Sequence, residues 1–442
     1  MKNVRAKFIT LSFVAAFLVY VLPFGLPGNQ QVMLAVMALA VCLWITEAIP
    51  LHVTALFVAF LLTTVADIDS KEVFSQYFDP VIVLLLGGFV IAMAMRKYGL
   101  DEYIAYKIIK TAGRSTKNVV FALLFTTAFI SMWISNSAAA AIIMPIALVI
   151  LAKNRMKAGK SNFGKASVLA VAYGATIGGL GTIVGSTPNV IAAKFLQDSG
   201  TSFGFFEWFY RGFPFMLILL VFCWAILVLL YKPEKRNIST LEKAPQINRN
   251  QKKVLVIFLL TIILWLSEPL HGISSSVVAI VPIILFYFAG LLEAEDFTRI
   301  DWPTLLLVGG GLALGFGIHQ SALDSSFASI LSNVVSGQSI LALLLFLGFF
   351  GILMTVVVSN TTAAAVYLPI IVALASTLGA DTTNIVVVAA MGVSLDFMFP
   401  FGTPPTAIAY GTKFVNMKDI AKAGIVIAFI GLLLLAFIGL LW

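Results

Sequence analysis

Apolar runs of about 20 residues recur along the whole chain, each long enough to cross a hydrocarbon core of about 30 Å. In lipid a backbone must satisfy its own hydrogen bonds, so such runs fold as helices. A membrane barrel would instead show short segments of alternating polarity, and the sequence has none. Of 442 residues, 60% are hydrophobic and 11% charged, whereas a soluble domain carries roughly 25% charged residues. The sequence therefore predicts an all-α polytopic membrane protein with the lipid bilayer as its solvent. The basic segment before the first run looks like a secretory signal, but no small-x-small cleavage site follows it. It reads as an uncleaved first span.

The net charge of +8 would suit a nucleic-acid partner if it formed a patch. The basic residues gather instead in the loops between apolar runs, as the positive-inside rule requires, and no nucleic-acid partner is expected. With the N-terminus placed in the cytoplasm, spans run near 8–25, 31–47, 50–66 and 80–96. The segment 96–117 holds Arg96, Lys97, Lys107, Lys110, Arg114 and Lys117, and reads as an interfacial amphipathic helix. Next, 118–152 is apolar but interrupted at Ser135-Asn136-Ser137, and a second basic loop, 153–165, follows it. With both flanks on one side, this segment is a re-entrant helical hairpin with a polar tip. Such backbone is tolerated only where protein or a wet cavity covers it.

Spans at 167–195 and 208–231 come next, then the hydrophilic stretch 232–253, then spans at 254–268, 272–291 and 303–318. The segment 319–338 has no Lys or Arg and is expected outside. A second hairpin, 339–376, is interrupted at Ser359-Asn360-Thr361, and spans at 384–410 and 422–441 end the chain outside. All of the 28 Lys and Arg residues except Lys71, Lys194 and Arg211 then fall on cytoplasmic segments. The expectation is about 11 transmembrane helices plus two re-entrant hairpins in a cell (inner or plasma) membrane.

The chain also repeats itself. Trp44-Ile45-Thr46-Glu47 recurs as Trp265-Leu266-Ser267-Glu268, and Leu85-Leu86-Gly87-Gly88 as Leu307-Val308-Gly309-Gly310. Leu100-Asp101 recurs as Leu323-Asp324, the Ser135-Asn136-Ser137 tip as Ser359-Asn360-Thr361, Pro145 as Pro369, and Thr187-Pro188 as Thr403-Pro404. The matches are collinear, at offsets between 216 and 224 residues. The first hairpin opens inward and the second outward, so the halves are inverted, as in many secondary transporters. The expected organisation is a first transmembrane helix (1–30), repeat one (31–231), a cytoplasmic linker (232–253) and repeat two (254–442).

Each half holds two polar interruptions. One is the hairpin tip. The other is a Gly/Thr/Pro break inside a long span, at Gly181–Asn189 and at Phe401–Thr406. Pro and Gly there unwind the helix and free backbone groups. The freed carbonyls and neighbouring hydroxyls suit a hard cation such as sodium, while half-helix N-termini favour an anion. Ser, Asn and Thr also serve as plain glue between membrane helices. Two such motifs at matching repeat positions, each paired with a broken helix, favour a binding site instead.

These tips and Thr-Pro breaks resemble those of the divalent anion/sodium symporter family of di- and tricarboxylate transporters, over about residues 40–440. The resemblance implies an elevator-type transporter, a homodimer with a fixed scaffold, and two sodium sites flanking one substrate site. Carried over by position, the first sodium site is Ser131, Ser135, Asn136 and the break near Gly185. The second is Thr355, Ser359, Asn360 and the break near Gly402. Substrate carboxylates would meet Asn136, Ser137, Asn360, Thr361, Thr403 and Pro404. Ser137 departs from the family's threonine at the first tip, which touches ion selectivity more than the existence of the site.

The implied function is secondary transport of small, succinate-like di- or tricarboxylates, with Na+ as the co-transported ion. The alternative is a sodium-independent dicarboxylate exchanger, or a carrier of another oxyanion such as sulfate or citrate. An enzyme is not expected, because the membrane-embedded acids are isolated; nor is ATP drive, because no Walker pattern follows the glycine runs. Asp396 is the one acid well inside a span, and by default an intramembrane acid is a functional candidate. Glu47 and Glu268, each beside a tryptophan, fit interfacial anchors or structural hydrogen bonds better than catalysis. His52, His271 and His319 lack ligand spacing. The orientation has a direct test. In a cysteine-free background, a cysteine at Ser336 is expected to react with a membrane-impermeant maleimide from the outside; labelling only from the cytoplasmic side reverses the assignment.

Overall fold

The computed structural model describes residues 2–239, 246–400 and 402–442. Residues 240–245 of the expected linker and Phe401 of the second break lie outside the described residues. The first half contains α1 (Lys2–Val21), α2 (Gly28–Thr46), α3 (Leu51–Thr64), α4 (Ser70–Ser75), α5 (Pro80–Lys97), α6 (Leu100–Thr111), α7 (Thr116–Ser131), α8 (Asn136–Lys153), α9 (Asn162–Gly178), α10 (Thr187–Asp198) and α11 (Phe205–Leu230). The second contains α12 (Arg249–Leu266), α13 (Glu268–His271), α14 (Ser275–Val278), α15 (Ile280–Phe288), α16 (Ala294–Phe297), α17 (Trp302–Gln320), α18 (Leu323–Val335), α19 (Ile340–Val357), α20 (Asn360–Leu378), α21 (Thr382–Val393), α22 (Pro404–Gly411) and α23 (Met417–Gly439).

From α2 to α11 every helix has a counterpart in the second half, in the same order, with α14 and α15 together matching α3. The first helix stands outside this pairing. Among the described residues, nine helical stretches are long and apolar enough to cross a membrane, while α3, α7, α14–α15 and α21 are shorter apolar helices. Two of the short ones have a local cause: α7 stops at the first hairpin tip and α21 at the second break. The segment 319–338, expected only as an outer connection, forms α18, the counterpart of the interfacial α6. Its repeated Leu-Asp pair was the sign of that equivalence.

Side chains start the helices at equivalent places. Asp79 and Asp301 cap α5 and α17, accepting from the amides of Val81 at 3.0 Å and Thr304 at 3.2 Å. Ser135 and Ser359 cap the second arms of the hairpins, accepting from Ala138 at 3.4 Å and Thr362 at 3.3 Å. Trp44 and Trp265 each donate through Nε1 across the following turn, to the carbonyls of Leu51 (3.2 Å) and Ser275 (3.0 Å). Glu268 accepts from the Ser275 amide at 3.2 Å, a structural role of the kind expected for it.

The halves are held together by exchange. Helix α3 of the first half packs on α17 of the second, and α14–α15 of the second pack on α5 of the first. Glycines make both crossings close: a Cβ at Gly87 would run into Ala279, and one at Gly310 into Ala55. The corners are tied in the same crossed fashion. Gln251 Nε2 donates to the carbonyl of Gly99 at 3.2 Å, and Gln30 Nε2 to that of Ala322 at 3.2 Å. Gly99 and Ala322 hold the same left-handed conformation, at φ 63° and 59°. The second half thus asks an alanine to adopt what glycine adopts freely.

The hairpins open on opposite faces. The ends of the first are tied to the linker, through Thr116 N to Arg236 O (3.1 Å) and Asn154 Nδ2 to Ser239 O (2.8 Å). The start of α23 shares this face, because Tyr231 Oη donates to the Asp419 carbonyl and Lys165 pairs with the Asp419 carboxylate at 2.8 Å. The α21–break–α22 span runs toward that face. Its start, joined to the second hairpin by Gly379–Asp381, therefore lies on the other. Replacing Gly87 or Gly310 with alanine is expected to cost about 1–3 kcal/mol by overpacking. Both variants should unfold at a lower temperature in detergent than Gly28→Ala, whose Cβ would meet nothing within 4 Å.

Candidate functional site

The two tips and the two breaks converge on one cavity of about 290 Å³. Asn136, Ser137, Asn360, Thr361, Thr403 and Pro404, the six residues singled out for substrate, all line it, as do Ser135, Gly185, Ser359 and Gly402. Four helices start at this cavity: α8 at Asn136, α10 at Thr187, α20 at Asn360 and α22 at Pro404. Each N-terminus brings about half a positive charge and unsatisfied amides. Pro404 and Pro405 remove donors at the fourth, leaving its dipole. The halves also touch here directly, with Thr187 Oγ1 of the first break 2.5 Å from Thr361 Oγ1 of the second tip.

Behind the first tip lies a compact oxygen cluster. Ser131 Oγ is 2.8 Å from Asn136 Oδ1 and 2.7 Å from the Ala175 carbonyl, and its single proton serves one of them. Gly179 lies against the Asn136 amide and the Gly185 carbonyl, with no room for a side chain. Asn189 Nδ2 holds the break by donating to the carbonyls of Gly179 and Thr182, both at 2.8 Å. Hydroxyl, amide and carbonyl oxygens at this density suit a hard cation. Behind the second tip, Ser359 Oγ is 3.0 Å from Thr362 Oγ1, and Asn360 Oδ1 is buried without a hydrogen-bond partner. Thr355 does not join the cavity lining: it is buried and its hydroxyl donates to the Ile352 carbonyl of its own helix at 2.9 Å.

The cavity is lined by no Lys or Arg among the described residues. The acid on its wall, Asp301, is already engaged in capping, its other oxygen accepting from the Thr304 hydroxyl at 2.7 Å. Cations stand one step away. A vestibule of about 760 Å³ shares Phe89, Ser135, Ser137 and Asp301 with the cavity, and adds Arg96, Lys97 and Arg299. There Lys97 pairs with Asp296 at 2.6 Å. Burial raises the Asp296 carboxyl, but the Lys97 ammonium and the Glu293 amide outweigh it and hold it below its ordinary value. At the opposite end of α5, Lys194 of α10 pairs with the counterpart aspartate, Asp79, at 3.0 Å. The chain is thus open beside one N-cap aspartate and tied shut beside the other.

Comparison with known proteins places this architecture. The sequence matches the sodium:sulfate symporter transmembrane region over residues 1–442. The chain belongs to that family. It is 32% identical to the sodium-dependent dicarboxylate transporter SdcS of Staphylococcus saprophyticus, over 94% of this chain and 86% of that one. It is 31% identical to SdcS of Staphylococcus aureus, over 91% and 84%. An uncharacterized transporter of Methanocaldococcus jannaschii is 34% identical over 96% and 95%. Among solved structures, the YdaH transporter of Alcanivorax borkumensis, described as having an unusual topology, shares the fold with a TM-score of 0.57. That likeness covers 83% of this chain and 86% of that one at 15% identity. Membership of a transporter family places the chain among transporters, not enzymes.

Several residues in this family member escaped the sequence motifs. Ala175 contributes only a carbonyl, and Leu51 is an ordinary apolar residue; Leu85 and Leu307 were matched as repeat positions, with no sign of their place on the cavity wall. Asp301 and Thr304 carried one usable signal, the Asp-x-x-Thr capping pattern ahead of a helix. Asn136→Ala and Asn360→Ala are each expected to abolish transport while leaving membrane insertion intact. An Asn amide offers an oxygen to a cation and two donors to a carboxylate. Its loss strands neighbouring groups at about 1–3 kcal/mol each, equivalent to about a five- to more than a hundredfold drop in affinity. Wild-type uptake kinetics in both variants would show that the tips are structural glue.

Proposed function

We propose that this protein is a sodium-coupled secondary transporter of small dicarboxylates, with Asn136, Ser137, Asn360, Thr361, Thr403 and Pro404 around the substrate. The sodium ions sit behind the tips, one near Ser131, Ser135, Asn136 and Gly185, the other near Ser359, Asn360 and Gly402. Thr355 is a weaker member of the second set, since its hydroxyl is spent within its own helix. The observation that carries the reading is the convergence of four helix N-termini on a cavity with no lining Lys or Arg among the described residues. Such a site attracts an anion by dipoles alone. A dianion at mid-membrane is expensive to bury without countercharge, and co-bound sodium supplies it. The names of the two SdcS relatives, sodium-dependent dicarboxylate transporters, support both cargo assignments.

Inverted halves give the transporter two related conformations, one open to each side. In the orientation expected from basic loops, the vestibule faces the cytoplasm, which makes this the inward-open form. The proposal extends to a homodimer and an elevator-like excursion of the hairpins and breaks, as the family resemblance implies. A sodium-independent exchanger is the second reading. It draws support from Arg96, Lys97 and Arg299 in the vestibule, fixed cations close enough to favour a passing dianion.

Succinate binding separates the two. In the coupled reading, succinate affinity rises steeply with sodium concentration, and succinate raises sodium affinity by the same factor. Ser135→Ala and Ser359→Ala then weaken the sodium dependence before they alter the choice among dicarboxylates. Equal succinate affinity in sodium and in choline buffers would move the protein to the exchanger reading.

A further inference from the structure

We propose that Asp396 is the charged ligand of the second cation site, which makes the two sodium sites unequal: the first neutral, the second anionic. The inference rests on the sodium-coupled reading above and deepens it. Asp396 is 1% exposed, and neither of its carboxylate oxygens has a hydrogen-bond partner among the described residues. The Met398 amide is the one backbone donor near the carboxylate, and a neutral amide supplies no countercharge. None of the ion pairs among the described residues includes Asp396. A carboxylate in that position lacks a countercharge.

The carboxylate is aimed at the break. A Cβ on Gly402 would collide with both Asp396 oxygens, so they lie against the backbone of a residue that lines the cavity. Two further buried acceptors lack partners: Ser394 Oγ, two residues before Asp396 at the end of α21, and Asn360 Oδ1, at the tip that lines the same cavity as Gly402. Orphaned oxygens of three chemical kinds, with one formal negative charge among them, fit an oxygen-seeking monovalent cation.

The first break also has an orphaned acceptor, Asn189 Oδ1, but no carboxylate. At the first tip, Asn136 Oδ1 already has a hydroxyl from Ser131, and Ser131 also meets the Ala175 carbonyl. In the register that pairs Thr187 with Thr403, the position of Asp396 is taken by Leu180. The difference has a functional sense. A neutral site gains most of its pull on a cation from the dianion beside it. An anionic site binds sodium without the dianion, so the second site fills first and prepares the cavity for substrate.

Substrate-free sodium binding tests this. Purified wild-type protein in detergent, titrated with sodium chloride against choline chloride, is expected to bind sodium and to gain thermal stability from it. Asp396→Asn and Asp396→Ser, each checked for a monodisperse gel-filtration profile, should weaken that binding by about tenfold or more through loss of the charged ligand. Sodium-dependent stabilisation should fall in parallel, a readout independent of transport. Unchanged substrate-free sodium affinity in both variants, with wild-type transport still sodium-coupled, overturns the role of Asp396 alone. A wild-type protein that neither binds sodium nor needs it for transport overturns the sodium-coupled reading itself, and this proposal with it.

Discussion

Backbone left without hydrogen bonds in the middle of a membrane must find partners, and the whole molecule is organised around that demand. Two hairpins turn at mid-depth and two spans break there, so four helix starts and their amides lie where lipid can satisfy none of them. Gathering all four around one cavity resolves the problem, because each polar interruption shields another. Thr187 and Thr361 meet across it, and Asn189 binds the carbonyls freed at Gly179 and Thr182. In the proposed reading, the pull on an anion follows from this arrangement and not from any lining Lys or Arg among the described residues.

The exchange between halves is what keeps the cavity at their boundary. Each half lends its second helical layer to the other: α3 lies on α17 and α14–α15 on α5, with glycines at the closest approach. Gln30 and Gln251 fasten the opposite corners by the same bond. In the proposed reading, symmetry of this kind gives two conformations related by exchange of the halves, and small asymmetries then select between them. The Asp79–Lys194 pair exists in one half, while its counterpart Asp301 lines an open vestibule. The buried Asp396 likewise belongs to one half.

Much of the fold was legible because lipid allows few solutions. Apolar runs had to be helices, and the tips Ser135-Asn136-Ser137 and Ser359-Asn360-Thr361 could sit in such runs only as turns covered by protein. The repeat was legible because its matches were collinear. Less legible were α18, an amphipathic helix in a segment without basic residues, and the position of Thr355, which shares its motif but turns its hydroxyl to Ile352. For α18 the repeated Leu-Asp pair was the one sign, and for Thr355 there was none, since a hydroxyl in a membrane helix is equally content with its own backbone.

The sequence by itself determined the class of the protein, the order and approximate bounds of its long apolar helices, the inverted repeat and the identity of the polar tips and breaks. Hydropathy, loop charge and self-similarity are properties of the chain in one dimension, and the bilayer turns them directly into topology. Only the tertiary structure decided which oxygens meet. The Ala175 carbonyl meets Ser131 from a separate helix of the same half, and Asp396 folds back onto Gly402 within one break. The wall of Leu51, Leu85 and Leu307 depends on how one half packs against the other, through glycines whose close approach no local pattern encodes.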